Sequence, residues 1–127
     1  KRRVSMKQMY SNNLSAKDNI VIPNYVAGFQ NGIDVPEEFM NKEVYVGHPV
    51  YKKEGKFSLV PVTEEGYQAV EGAEYVGVLK SSLKTDEHFN RTLAVMDLGV
   101  VETEAMDIKY SDALLKELKS NLKIVFR

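Results

Sequence analysis

Apolar positions are densest between Glu74 and Glu102, in two runs, Tyr75 to Leu83 and Thr92 to Val101, separated by the polar stretch Lys84 to Arg91. Val, Leu, Tyr and Thr dominate both runs and turn or charge signals flank them, which predicts a central pair of strands. Neighbouring side chains on a strand point to opposite faces. One side of the second run therefore carries Ala94, Met96, Leu98 and Val100, and the other Leu93, Val95, Gly99 and Val101. Apart from Asp97 both sides are apolar. A strand covered on both sides belongs to a barrel, a sandwich or a subunit interface rather than to a sheet with one wet face.

The remaining segments arrange themselves around that pair. Ile20-Val21-Ile22-Pro23 is a short β-branched run stopped by a proline, as expected of an edge strand or a strand end. Val35 to Asn41 reads as one helical turn, with Pro36 near its first position and Glu37 and Glu38 at its amino end. Val44 to Tyr51 and Phe57 to Val62 form a hairpin across Lys52 to Lys56, with Gly55 supplying a positive φ. Pro49 and Pro61 each remove a ladder donor, so these strands are expected at an edge or at bulges. Thr63 to Gly72 is a connector. Beyond the central pair, Glu102 to Lys109 predicts a short helix, and Ser111 caps a longer one from Asp112 to about Asn121. Tyr110, Leu114, Leu115, Leu118 and Leu122 fall on one stripe of that amphipathic helix. Leu122 to Phe126 closes the chain as a terminal strand. The fold class is mainly β (β-rich α+β): a small barrel- or sandwich-like domain with short helices, one of them amphipathic near the C-terminus, and an extended N-terminal arm.

Composition and charge sharpen this picture in one place. The net charge of -1 divides unevenly, because residues 1 to 19 hold five cations (Lys1, Arg2, Arg3, Lys7, Lys17) and one anion (Asp18), a net of +4 that leaves -5 for the remainder. A basic arm thus precedes an acidic body, and such arms are often interaction tails. With its turn-forming asparagines and serines and no clear period, the arm is expected to be irregular, anchored by Met6, Met9 and Tyr10. The expected organisation is an arm over residues 1–22 and one β-rich domain over 23–127. The 127 residues fit one modest core, and there is no cysteine to form disulfides or thiolate metal sites. No segment approaches the roughly 20 apolar residues of a membrane span, and no signal-peptide succession is visible. Synthesis in a cytoplasm fits.

Candidate chemistry is sparse. His48 and His88 stand 40 residues apart without a metal-ligand spacing. The acidic pairs Glu37-Glu38, Glu64-Glu65 and Asp86-Glu87 are adjacent in sequence, which points partners apart on a strand and leaves them solvated in a loop. No glycine-rich phosphate loop appears, and Ser81 and Ser82 have no nucleophile-elbow context. No catalytic residue, metal site or cofactor is expected, and the chain is not read as an enzyme. Tyr25, Tyr45, Tyr51 and Phe57 would suit stacking on single-stranded nucleic acid, but the acidic body opposes the phosphate neutralisation that supplies most of such affinity.

Three stretches carry a family likeness. Gly47-His48-Pro49-Val50-Tyr51 leads a hairpin, Ala73-Glu74-Tyr75-Val76-Gly77-Val78-Leu79 gives a strand of glycine and aliphatics, and an acidic loop leads to Leu93-Ala94-Val95-Met96-Asp97-Leu98-Gly99-Val100-Val101. With the following helix and Lys123-Ile124-Val125-Phe126, this order resembles the lambda-type head decoration (capsid-stabilising) proteins of tailed bacteriophages over roughly the last 80 residues. The resemblance implies a homotrimer on the capsid surface of the virion, clamping neighbouring subunits of the major capsid protein. It also implies an N-terminal arm that adds to a capsid strand by β-augmentation. On this chain those arm contacts would be Arg2, Arg3, Met6, Met9, Tyr10, Ile20, Val21 and Ile22, with the last three as the pairing strand. The arm is longer and more basic than the family pattern, and residues 24–43 have no counterpart in it. The alternative is a nucleic-acid-binding or adaptor module that uses the basic arm.

Overall fold

The computed structural model describes Asp18, residues 20–29 and residues 32–127. Their strands are β1 (Asn24–Gly28), β2 (Ile33–Asp34), β3 (Glu43–Val44), β4 (Pro49–Lys53), β5 (Lys56–Leu59), β6 (Val62–Thr63), β7 (Gly66–Tyr67), β8 (Glu74–Leu79), β9 (Leu83–Lys84), β10 (Thr92–Leu93), β11 (Val95–Val101) and β12 (Val125–Phe126), with one α-helix, α1 (Asp112–Asn121). A six-stranded sheet runs in the order β1-β11-β8-β4-β5, with β12 paired to β11 as its sixth strand, and two-residue ladders β2–β10, β3–β9 and β6–β7 stand apart from it. The mainly β fold with one helix near the C-terminus is therefore as the sequence predicts.

The central pair forms, but it is short. Leu79 faces Val95 and Val78 faces Met96; the chain then leaves the ladder at Lys80, and the first apolar run ends in the separate strand β9. Past Met96 that edge of β11 passes to β12, which lies parallel to it with Val100 beside Val125 and Val101 beside Phe126. The other edge pairs with β1, antiparallel and bulged twice.

Those bulges overturn the predicted faces of β11. Gly28 pairs with Met96 but Ala27 with Leu98, so one extra residue sits on β11 between them. A single extra residue sends every later side chain to the other face. Val95 accordingly joins a core with Ile33, Val35, Val44, Val50, Leu59, Leu79 and Leu93, whereas Met96 and Val101 join a second core with Tyr75, Val78, Tyr110, Leu114, Leu118 and Phe126. β8 carries its own irregularity against β4, where Val50 faces Gly77 and Tyr51 faces Tyr75. Tyr75 and Val78 thus share the helix-side core while Val76 and Leu79 turn to the other. Around its middle the sheet is covered on both faces, one by α1 together with Tyr67 of β7 and the other by the ladders β2–β10 and β3–β9.

The hairpin between β4 and β5 closes on Glu54 and Gly55, whose φ angles of 53° and 80° are both positive, the backbone of a two-residue type I′ turn. β4 lies inside the sheet, between β8 and β5, rather than at an edge. Pro49 is tolerated there because it is the first residue of the strand, where a missing donor costs least. Val35 to Asn41 and Glu102 to Lys109 do tighten into helical turns, of the 3-10 kind, at Glu37–Phe39 and Thr103–Ala105. Ser111 caps α1 by accepting from the Leu114 amide at 3.3 Å, and Leu114 and Leu118 are fully buried.

Glycine is required where strands approach most closely. A Cβ on Gly77 would lie 2.4 Å from the Met96 carbonyl oxygen, in the central ladder itself, whereas Gly55 meets nothing within 4 Å. Gly77→Ala is expected to destabilise the fold by about 1–3 kcal/mol. Gly55→Asn, which keeps a residue tolerant of positive φ, is expected to stay within about 0.5 kcal/mol. Urea midpoints of the two variants measure the difference, and equal midpoints would refute this account of the ladder.

Candidate functional site

Two features of the surface invite a partner: an apolar face left open at one end of the sheet, and a pocket beneath the segment that starts at Asp18. The open face follows from the bulge in β11. Val101 and Phe126 point into the helix-side core, so Val100 and Val125 beside them point the other way, past the end of the second core. Leu98 shares that face, and Val125 is 53% exposed and Leu98 38%. Across the β1 edge Val26 is 61% exposed, and among the described residues β1 has no strand on its outer side.

The expected strand over Ile20-Val21-Ile22 is a turn of helix instead, with the Ile22 amide donating to the Asp18 carbonyl at 2.9 Å. Burial is the reason. On a strand, neighbours point apart, yet Val21 and Ile22 are both enclosed by the helix-side core. The turn is bound to the domain by two further bonds, from the Glu102 amide to the Val21 carbonyl at 2.7 Å and from the Ser82 amide to Asp18 Oδ2 at 3.1 Å. Of the three residues assigned to a pairing strand, only Ile20 is exposed. Arg2, Arg3, Met6, Met9 and Tyr10 lie outside the described residues.

The pocket has a volume of about 370 Å³, and Asp18, Val21, Val44, Tyr45, Val46, Tyr67, Ser82, Met106 and Ile108 are among the residues around it. Tyr67, in its wall, belongs to a row of rings running Phe39, His48, Tyr67, Tyr110, Phe126, with centroid separations of 5.4, 4.4, 5.8 and 5.6 Å. Most polar atoms of this row are satisfied. The Tyr110 hydroxyl donates to the Gly47 carbonyl at 2.7 Å, and burial holds its pKa well above the usual phenol value. His48 Nε2 lies 2.8 Å from the Val60 carbonyl oxygen, which requires the proton on that nitrogen. Among the described residues two buried side-chain polar atoms have no hydrogen-bond partner, Tyr67 Oη and Asp18 Oδ1.

The aromatics weighed as a stacking platform are each engaged separately. Lys80 Nζ sits 4.1 Å from the centroid of Tyr25, Phe57 packs edge-on against Phe29 at 5.6 Å, and Tyr51 packs against the helix-side core. Tyr45 stands at the pocket beside Glu43, its pKa raised first by burial and then by that carboxylate. His88 is an exposed loop residue. Among the described residues no group of three or more His, Asp or Glu is placed to hold a metal, and no helix is long and apolar enough to cross a membrane. The chain matches no protein-family model, no curated protein and no solved structure.

His48 gives the fold a pH dependence whose sign is determined. Burial lowers its pKa from 6.5 to about 4, so between those values the unfolded chain binds a proton that the folded chain refuses. Stability is then fully present above about pH 6.5 and falls as the pH drops toward 4, by about 3 kcal/mol in all. His48→Gln, which retains a donor for the Val60 carbonyl but does not titrate, is expected to flatten this acid limb. Melting temperatures from pH 7 to 4 check it, and an unchanged slope in the variant would assign the limb to other groups.

Proposed function

We propose that this protein is a non-enzymatic structural component that attaches to a larger protein assembly through the open apolar face of its sheet. Exposed Val26, Leu98 and Val125 around one sheet end carry the reading. Contiguous apolar surface of this kind marks interaction sites in folded domains. The outer edge of β1, unpaired among the described residues, adds a row of backbone groups available to a further strand.

The finer reading is a decoration protein of an icosahedral phage head, binding outside the shell as a homotrimer and clamping neighbouring major capsid subunits. It is supported by the resemblance of residues 47–51, 73–79, 93–101 and 123–126, and by the β-rich fold in which those stretches lie. In this reading the basic segment before Asp18 and the open face both meet the shell. Val21 and Ile22 belong to the domain, so the segment available to the shell is residues 1–17, with Ile20 at its root.

Light scattering across a dilution series, with and without expanded heads, tests the assignment. A trimer, or a monomer that becomes part of a stable complex on heads, is expected, and Leu98→Asp with Val125→Asp should abolish it while leaving the fold intact. A monomer at every concentration that ignores heads and instead binds short single strands in a salt-sensitive way would establish the nucleic-acid alternative. Removal of residues 1–17 should weaken attachment at little cost in stability. Removal of residues 1–22 should cost a further 3–5 kcal/mol or about that, because the burial of Val21 and Ile22 is lost with it. Equal stability of the two truncations would show that these side chains contribute nothing to the core.

A further inference from the structure

The pocket beside the Asp18 turn offers apolar surface at a charged border. Tyr45, Leu83 and Ile108 around it stay exposed or half-buried, as do Glu43 and Lys84, whereas Val44, Val46 and Met106 are buried. A volume of about 370 Å³ exceeds the roughly 30 Å³ of one water many times, and the apolar walls give water few partners. An apolar group is what such a recess takes.

The chain itself brings apolar groups to this place. Residues 1–17 lie outside the described residues, and the described chain takes up from them at Asp18, which borders the pocket. That entry point is fixed, because Asp18 Oδ2 accepts at 3.1 Å from the amide of Ser82, another residue of the pocket border. Charge agrees. The segment carries Lys1, Arg2, Arg3, Lys7 and Lys17 and no anion, whereas Asp18 and Glu43 border the pocket of a domain whose residues 20–127 sum to -5.

We propose that the pocket is the seat of this chain's own N-terminal segment, with Met9 and Tyr10 lying against Tyr45, Leu83 and Ile108. Only Ser11 to Lys17 separate Tyr10 from Asp18. That tether spans up to about 28 Å, at roughly 3.5 Å per residue, so Tyr10 reaches the pocket without strain. It also holds Tyr10 at an effective concentration on the order of 1 mM, at which a contact with a Kd of about 1 mM is half occupied. The seat does not depend on attachment to a shell. Where residues 1–17 do meet a shell, they must first leave it.

Free full-length protein with labelled Met, Leu and Ile methyls and Tyr rings tests the seat by NMR. Nuclear Overhauser cross-peaks from the Met9 methyl or the Tyr10 ring to the Leu83 and Ile108 methyls are expected. Met9→Ser with Tyr10→Ser should remove them and shift the Leu83 and Ile108 signals, while the methyls of Leu79, fully buried in the second core, stay in place. Absent cross-peaks, or Leu83 and Ile108 signals unmoved in the double variant, would overturn the proposal. Cross-peaks that arise only between differently labelled chains in a mixed sample would overturn it too, by giving the pocket to the segment of a second copy.

Discussion

The extra residue that β11 carries between Met96 and Leu98 is the constraint on which the rest of the molecule depends. A strand repeats every two residues, so an uninterrupted β11 would send Val95, Gly99 and Val101 to one face and Met96, Leu98 and Val100 to the other. The bulge breaks that identity: Met96 and Val101 both enter the helix-side core, and Leu98 and Val100 turn away from it. Gly99 makes the arrangement possible, since a Cβ there would lie 2.5 Å from Met96 Sδ. The helix-side core can therefore continue along the whole of β11, to where Phe126 docks beside Val101. The second core ends near Val95, and beyond it the outward face of the same strand is left open.

This explains which parts of the fold were legible in the sequence. The main parts of the two central strands, the β4–β5 hairpin with its positive φ at Gly55, the Ser111 cap, the Leu114 and Leu118 stripe and the docked C-terminal strand all rest on local chemistry and form as read, whereas β1 and the β6–β7 ladder lie in stretches where no such strands were expected. Register does not rest on local chemistry. Valine and leucine on both sides of a bulge look the same as valine and leucine without one, so the face assignments beyond Met96 failed. The interior position of β4 was hidden for a related reason: a proline signals a lost donor but not whether the ladder begins there.

The segment from Asp18 to Ile22 was misread because its composition and its environment disagree. Ile, Val and Ile favour a strand, but two neighbouring side chains had to reach the same core, and a helical turn held by the Glu102 and Ser82 amides achieves that. Asp18 carries no local mark of its role. In sequence it is one anion in a basic segment, and only the fold brings Ser82, sixty-four positions away, to its carboxylate. Tyr67 and His48 were equally silent, because their role lies in a row of rings drawn from five separate segments.

The open face and the two unpartnered oxygens of Asp18 and Tyr67 are incomplete in different ways, and the difference limits what can complete each. An exposed apolar face gains by roughly 25 cal/mol for every Å² covered, with little regard to direction, so it answers to a large complementary surface. An unpaired buried oxygen gains only when a donor arrives at the correct distance and angle, so it answers to a small group of defined chemistry. A protein shell can supply the first without supplying the second. Asp18 stands beside both kinds of feature, since its backbone anchors the turn that carries exposed Ile20 while one of its carboxylate oxygens is buried without a donor.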